Sequence, residues 1–321
     1  MVDSIHPTAP APSTEVRRGP EPVRRRQQGW RRRRLNRYTG APLALISINL
    51  LLFITFFVWP AATGLLYSFT SYTGVGDAPY VGWDNYQKLL QDDAFYSALI
   101  RTLIYTAGVV PLTIVLSLGT AVLLVTDYAK GKVVARIIFF LPWLISPIIV
   151  GVIWRWMFGE NFGLINYVIT KLGGSEVPWQ SNANLSLMVV IFAAAWAGTA
   201  FNMLLFVAAI KNVPTSYYEA ASLDGAGSWA KFRNITLPAI APTTFIVVLL
   251  SILHSMKEYA LFAAVNDGGP GTENNLLVQY IYTKGFERAQ IGYASAASFV
   301  LMLILMIVAI VQLSMNRRKD S

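Results

Sequence analysis

Four polar side chains close together in an otherwise apolar stretch could do chemistry there: Ser251, His254, Ser255 and Glu258. Spacings of three, four and seven residues place them on one stripe of a helix. Hydroxyls, an imidazole and a carboxylate on one face suit reversible hydrogen bonding to a hydroxylated solute, with nearby aromatics stacking on its apolar side. Polar groups inside apolar segments are costly and are functional candidates by default. A structural reading stands beside this one: the stripe bonds neighbouring helices, and Glu258 or the adjacent Lys257 snorkels to the interface. Trp196 and Asn202, in the preceding apolar segment, are candidates for the same path. Asn202 serves equally well as an interhelical hydrogen-bonding group.

Other chemistries find no support. There is no Gly-x-x-x-x-Gly-Lys-Ser/Thr run to cradle phosphates, and no Gly-x-Ser-x-Gly elbow. With Cys 0 and His 2, thiolate catalysis, iron–sulfur clusters and a histidine-built metal site fall away. Gly225-Ala226-Gly227 reads as a turn and not as a dinucleotide fingerprint. The chain is therefore expected to be no enzyme by itself and to bind no cofactor or metal.

The elements that must position these residues are membrane spans. The composition is 55% hydrophobic and 13% charged, where a soluble domain carries about 25% charged residues. Segments long enough for a crossing of about 20 residues run approximately over Pro42–Tyr67, Ala98–Val125, Val134–Phe158, Leu187–Ile210, Ile240–Ala264 and Tyr293–Leu313. Pro60, Pro111, Pro142 and Pro147 fall within or near the ends of these runs, where neighbouring helices can satisfy the freed backbone. The predicted fold is all-α, a polytopic membrane protein with six transmembrane helices.

Basic residues fix its orientation. Lys130, Lys132 and Arg136 lie in one loop, Lys211, Lys231 and Arg233 in another, and Arg317, Arg318 and Lys319 at the end. The alternate loops are balanced or acidic and rich in aromatics. The positive-inside rule then puts both termini and the 211–238 loop in the cytoplasm. Residues 1–40, with Arg24-Arg25-Arg26 and Arg31 to Arg34, read as a disordered basic tail that touches anionic lipid rather than nucleic acid. Residues 41–315 form the spanning domain and 316–321 a cytoplasmic tail. Arg155, flanked by Trp154 and Trp156, reads as an anchor at the outer end of the third span.

The 211–238 loop is too patterned to be a mere connector. Pro214 can open a short helix; Ser216 to Leu223 continue it; Gly225 and Gly227 break it; Trp229 to Phe232 restart it; Pro238 ends the unit. From spacing alone it could be a surface helix that steadies the loop, or a knob presenting Ala220 and Ala221 to another protein's groove. The run Tyr218-Glu219-Ala220-Ala221, then Asp224-Gly225-Ala226, then Phe232 and Ile235-Thr236-Leu237-Pro238, resembles the EAA loop of permease subunits in binding-protein-dependent ABC importers. Two stretches on the other face, Gly82-Trp83-Asp84-Asn85-Tyr86 and Asn266-Asp267-Gly268-Gly269-Pro270-Gly271 with Tyr280, Tyr282, Phe286 and Tyr293, resemble those of carbohydrate importers, specifically the first, maltose-type permease of a heteromeric pair. The resemblance runs from about Leu43 to the C-terminus.

That resemblance implies a bacterial cytoplasmic-membrane subunit that passes a sugar or oligosaccharide. It implies as partners a second permease, two ABC ATPase subunits holding ATP and Mg, and an extracellular or periplasmic solute-binding protein. Tyr218, Glu219, Ala220, Ala221, Asp224, Gly225, Ala226, Phe232 and Pro238 would couple to the ATPase, and Ser251, Ser255 and Glu258 would come first among the path residues. The alternatives from other classes are an ion-coupled secondary transporter of a small polar solute, a membrane enzyme and a non-transporting scaffold. The first would show paired repeats with broken helices, and no convincing repeat relates the two halves.

Overall fold

The computed structural model describes residues 40–125 and 132–317. Residues 1–39, Lys130 and residues 318–321, on which the tail and part of the charge pattern fall, lie outside the described residues. Among those described, every element is helical apart from an isolated antiparallel bridge between Thr70 and Tyr80. The chain divides into two units, up to Phe57 and from Val58 onward.

The first unit holds α1 (Gly40–Phe53) and all but the last residue of a π-helical turn, Ile54–Val58. Leucine, isoleucine and phenylalanine face outward on every side of it, the pattern of a helix whose solvent is lipid.

The second unit opens with α2 (Trp59–Tyr67), α3 (Asp84–Leu90) and the long α4 (Asp93–Val125), which carries Pro111 inside it. Then come α5 (Lys132–Leu144), α6 (Pro147–Met157), α7 (Leu164–Lys171) and α8 (Ala183–Lys211). After the loop helices α9 (Thr215–Leu223), α10 (Ser228–Lys231) and α11 (Leu237–Ala239) come α12 (Ala241–Ser255), α13 (Ala260–Asn266), α14 (Leu277–Tyr282) and α15 (Ile291–Arg317). Four stretches are unbroken helices long and apolar enough to cross a membrane: Pro42–Tyr67, Asp93–Val125, Ala183–Lys211 and Ile291–Met315. Two bent pairs bring the total to six if each pair is one crossing.

The bends have identifiable causes. Between α5 and α6 the axis turns by 100°. Pro147 has no N–H to continue the helix and forces the residue before it into extended backbone, and Ser146 stands at φ −57°, ψ 138°. The apolar run expected over Ile240–Ala264 is likewise not one helix. A 68° bend between α11 and α12 stands at its start, and the run breaks after Ser255. There the Glu258 carboxylate accepts hydrogen bonds from the N–H groups of Tyr259 (3.1 Å) and Leu261 (3.0 Å), starting α13 on a new axis.

Lipid tails are as apolar as leucine, so close packing and internal hydrogen bonds must hold these helices together. The α4–α8 seam is built on small residues. Ala121, Ala193, Ala195 and Ala200 are fully buried, and a Cβ on Gly108 would come within 2.7 Å of Ile191 Cδ1. Larger side chains fill the remaining space in layers: Tyr105, Val109, Leu187, Val190 and Phe262 in one, Met203, Phe206, Ile240 and Val247 in another. The Tyr105 and Phe262 rings meet edge to face at 5.9 Å.

Away from the spans, Asp92 draws distant segments together. Its carboxylate accepts from Tyr280 Oη (2.6 Å), Tyr293 Oη (2.9 Å) and Lys284 Nζ (3.0 Å), and also caps α4 through the Ala94 N–H (2.9 Å). Lys284 stands over both tyrosine rings, 5.1 Å and 5.2 Å from their centroids. Burial alone would push the Asp92 carboxyl up. The hydrogen bonds from Tyr280, Lys284 and Tyr293 and the Lys284 charge outweigh it and hold the group well below the usual carboxylate range. Gly292 makes a second tie: its N–H donates to the Tyr72 carbonyl at 2.9 Å, and a side chain there would collide with the Thr70 carbonyl.

Asp92→Asn should lower the thermal midpoint of the purified protein at pH 7, at a cost of about 2 kcal/mol. A depressed folded-state pKa stabilises fully above the unfolded value near 3.9 and is lost as pH falls through the folded one. Melts below about pH 4 should therefore show an acid-dependent loss in wild type that Asp92→Asn lacks. Gly292→Val should cost about 2 kcal/mol through forced separation of α15 from the 67–72 segment, read by the same melts.

Candidate functional site

The 212–240 loop folds into a compact helical unit. Pro214 stands at the N-cap of α9 with φ −58° and ψ 132°, so the helix starts one residue later, at Thr215. A Schellman turn ends it: the Gly225 N–H bonds to Ser222 O at 3.1 Å and the Ala226 N–H to Ala221 O at 2.8 Å. Gly225 adopts φ +76° there, a conformation that costs other residues about 1 kcal/mol or more. α10 then leads through a π-helical turn, Phe232–Thr236, into α11, with Pro238 in its first turn.

Two side-chain ties close the unit. Tyr218 Oη lies 3.0 Å from Thr236 Oγ1, and Lys231 Nζ donates to Ser222 Oγ at 2.6 Å. Both join α9 to the segment that turns into α12. Glu219, Ala220, Asp224, Gly225 and Pro238 are exposed; Tyr218, Ala221, Ala226 and Phe232 are half-buried. Two large apolar residues not singled out in the sequence reading flank the turn and face outward, Leu223 at 90% exposure and Trp229 at 70%. Their signal was present as an apolar residue on each side of Asp224-Gly225, but exposure is a tertiary property.

The polar stripe divides into two groups. Asn202 Nδ2 donates to Ser251 Oγ at 3.4 Å, joining α8 to α12. Ser255 Oγ donates to the Ile252 carbonyl at 3.0 Å and lies 3.1 Å from the Thr106 hydroxyl, joining α12 to α4. All four of these side chains are buried, so the structure places Ser251, Ser255 and Asn202 in the seam between helices. His254 points elsewhere, because at about 100° per residue it stands some 60–100° round the helix from the two serines. Its side chain is 73% exposed, with Nε2 3.8 Å from Glu258 Oε2. Glu258 is only 10% exposed and lies beyond the end of α12, where its other oxygen starts α13. Trp196 is exposed on α8, its ring 6.1 Å from that of Trp154. Arg155 is exposed too. Thr106, which the sequence reading missed, lies 149 residues from its partner, and no local signal marks it. Among the described residues, no group of three or more His, Cys, Asp or Glu side chains could hold a metal ion.

The face opposite the loop is knit by buried amides. Asn85 Nδ2 donates to the carbonyls of Ser68 (2.9 Å) and Thr70 (2.8 Å). Asn274 Nδ2 donates to those of Ala183 (2.7 Å) and Gly269 (2.9 Å). The two aromatic and glycine-rich stretches noted in the sequence therefore fold into ordered connections.

Residues 93–321 match the family described as the binding-protein-dependent transport system inner membrane component. The chain is 31% identical over 299 residues to the arabinooligosaccharides transport system permease protein AraP of Bacillus subtilis, covering 92% of this chain and 95% of that one. It is 34% identical over 325 residues to the diacetylchitobiose uptake system permease protein NgcF of Streptomyces coelicolor, covering 97% and 91%. To the sn-glycerol-3-phosphate transport system permease protein UgpA of Agrobacterium fabrum it is 31% identical over 270 residues, covering 82% and 90%. In fold it is similar to a chain of a bacterial ABC transporter involved in import of the acidic polysaccharide alginate, with a TM-score of 0.78 at 23% identity over 87% of this chain and 95% of that one. The chain thus belongs to the binding-protein-dependent inner-membrane permeases: it is the multi-pass permease subunit of an ABC importer, whose ATP hydrolysis takes place in a separate subunit.

Proposed function

We propose that this permease passes a sugar or oligosaccharide, handed over by an external binding protein, and that the 212–240 loop takes up the stroke of the ATPase. The observation that carries this reading is the loop itself: a unit tied through Tyr218 and Thr236 to the base of α12, with Leu223 and Trp229 left uncovered. Uncovered apolar side chains on a rigid knob are what a partner's groove buries. Glu219 and Asp224 orient the knob, Ala220 and Ala221 allow close approach, and Gly225 sets the turn. The solute class rests on the arabinooligosaccharide and diacetylchitobiose relatives; the glycerol phosphate relative extends it to phosphorylated polyols.

A second permease would complete the path, two ATPase subunits would bind ATP and Mg, and both termini would face the cytoplasm. A related importer has been crystallised with an alginate pentasaccharide-bound periplasmic protein, which fits delivery from outside. In the path, His254 and Trp196 are the exposed groups: an imidazole to bond sugar hydroxyls and an indole to stack on the ring. Glu258 backs His254. Ser251, Ser255 and Asn202 set the spacing of α4, α8 and α12 and reach solute only when those helices move apart.

Leu223→Asp, and a charged replacement such as Ala220→Glu, should abolish uptake of the cell's labelled sugar substrate while the protein still inserts at normal abundance. Normal uptake by these variants would remove the loop from coupling. His254→Ala and Trp196→Ala should raise the apparent KM by about tenfold, as expected for one lost hydrogen bond or stacking contact, with thermal stability unchanged. Ser255→Ala should show the opposite split, a lower melting temperature with little change in KM.

A further inference from the structure

On the face opposite the loop, a cavity of 720 Å³ opens between the first turns of α4 and the α14 segment. Arg101 Nη1 lies 3.4 Å from Asn184 Oδ1, and Asn184 begins the helix whose far end, Lys211, leads into the loop. The walls carry Arg101, Lys284 and Arg288, opposed by Glu273, with hydroxyls from Ser97 and Thr283. Lys284 is engaged by Asp92 at 3.0 Å. Arg101 and Arg288 have no carboxylate partner among the described residues. Two guanidinium groups without a carboxylate partner in one concavity suit an anion, because their forked N–H groups match phosphate oxygens.

The depth of the cavity says which anion. With 33 residues, α4 is about 50 Å long at 1.5 Å per residue, against a hydrocarbon layer of about 30 Å. From Thr102 to Val125 it carries no Asp, Glu, Lys or Arg. Arg101 is thus the last charge before the helix enters hydrocarbon. Ile100 and Ile104 line the cavity's edge and are exposed, as is Leu103 beside them. A charged hollow directly above an apolar flank fits an amphiphile and not a soluble ion.

We propose that this cavity binds the phosphate of an anionic phospholipid, with Arg101 and Arg288 holding its oxygens and an acyl chain lying along Ile100 and Ile104. The lipid packs where α4, α8 and α14 converge and braces the face of the permease opposite the ATPase.

Native mass spectrometry tests this on the assembled transporter carrying the full chain, released from nanodiscs of phosphatidylcholine with a minority of phosphatidylglycerol. Wild type should retain phosphatidylglycerol in preference to phosphatidylcholine. Arg101→Gln with Arg288→Gln should reduce that retention by about tenfold, Glu273→Gln should raise it, and Lys171→Gln, a cation on α7, should leave it unchanged. Equal retention in the double variant, or no rise in Glu273→Gln, overturns the proposal. So does inorganic phosphate displacing the signal at millimolar concentration, which assigns the cavity to a soluble anion. Loss of the lipid whenever a partner protein crosslinks to position 101 assigns it to a protein contact and overturns the proposal too.

Discussion

Inside a bilayer there is no water to satisfy a polar group, and this constraint organises the whole chain. Its consequences meet at the junction of α4, α8 and α12. Asn202, Ser251, Ser255 and Thr106 bond one another there, and fully buried alanines let the helix backbones come close. Each interhelical hydrogen bond contributes only about 0.6 kcal/mol in such settings, so the seam is firm without being locked. A transporter needs that property. Helices must keep one arrangement at rest and still part when driven.

The breaks in the helices acquire meaning against this seam. Three discontinuities, at Ser146, at Ile240 and after Ser255, flank or interrupt the crossings. Two have a local chemical cause, a proline ahead of α6 and a carboxylate that caps α13; at the third, Ile240 leaves the helical region at φ −90°, ψ 2°. Rigid-body motion concentrates where backbone bonds are already interrupted. α12 is bounded by two of the three, with the loop at one end and His254 near the other, so the proposed coupling knob and the proposed solute contact would both act on this short helix. At the other face, Asp92, Gly292 and the buried asparagines hold the connections together.

Much of this was legible in the amino-acid order, and the reason is physical. Pro214 and Gly225 act on their own backbone, so α9 and its turn could be read from spacing to within a residue, whereas Pro238 stands in the first turn of α11 instead of ending the unit. Four of the apolar runs followed equally directly from hydropathy, whereas those expected over 134–158 and 240–264 are broken within. Other features depend on partners far along the chain. Nothing near Thr106 or Ser255 announces their contact, and the Asp92 cluster joins residues 188, 192 and 201 positions away. The end of α12 at Ser255 was missed because Glu258 has the spacing of a stripe residue and acts instead as a cap. The outward turn of Leu223 and Trp229 is a matter of which surfaces the chain leaves uncovered, which periodicity does not encode.

The proposed role of the 212–240 loop is to join this permease to an ATPase subunit. Affinity purification of the tagged full chain from detergent-solubilised membranes tests it most directly. A second six-span permease and an ABC ATPase should co-purify, with the ATPase alone lost when Glu219 and Leu223 are both replaced. An ATPase that stays bound to that variant, or a second permease lost along with it, would contradict the claim.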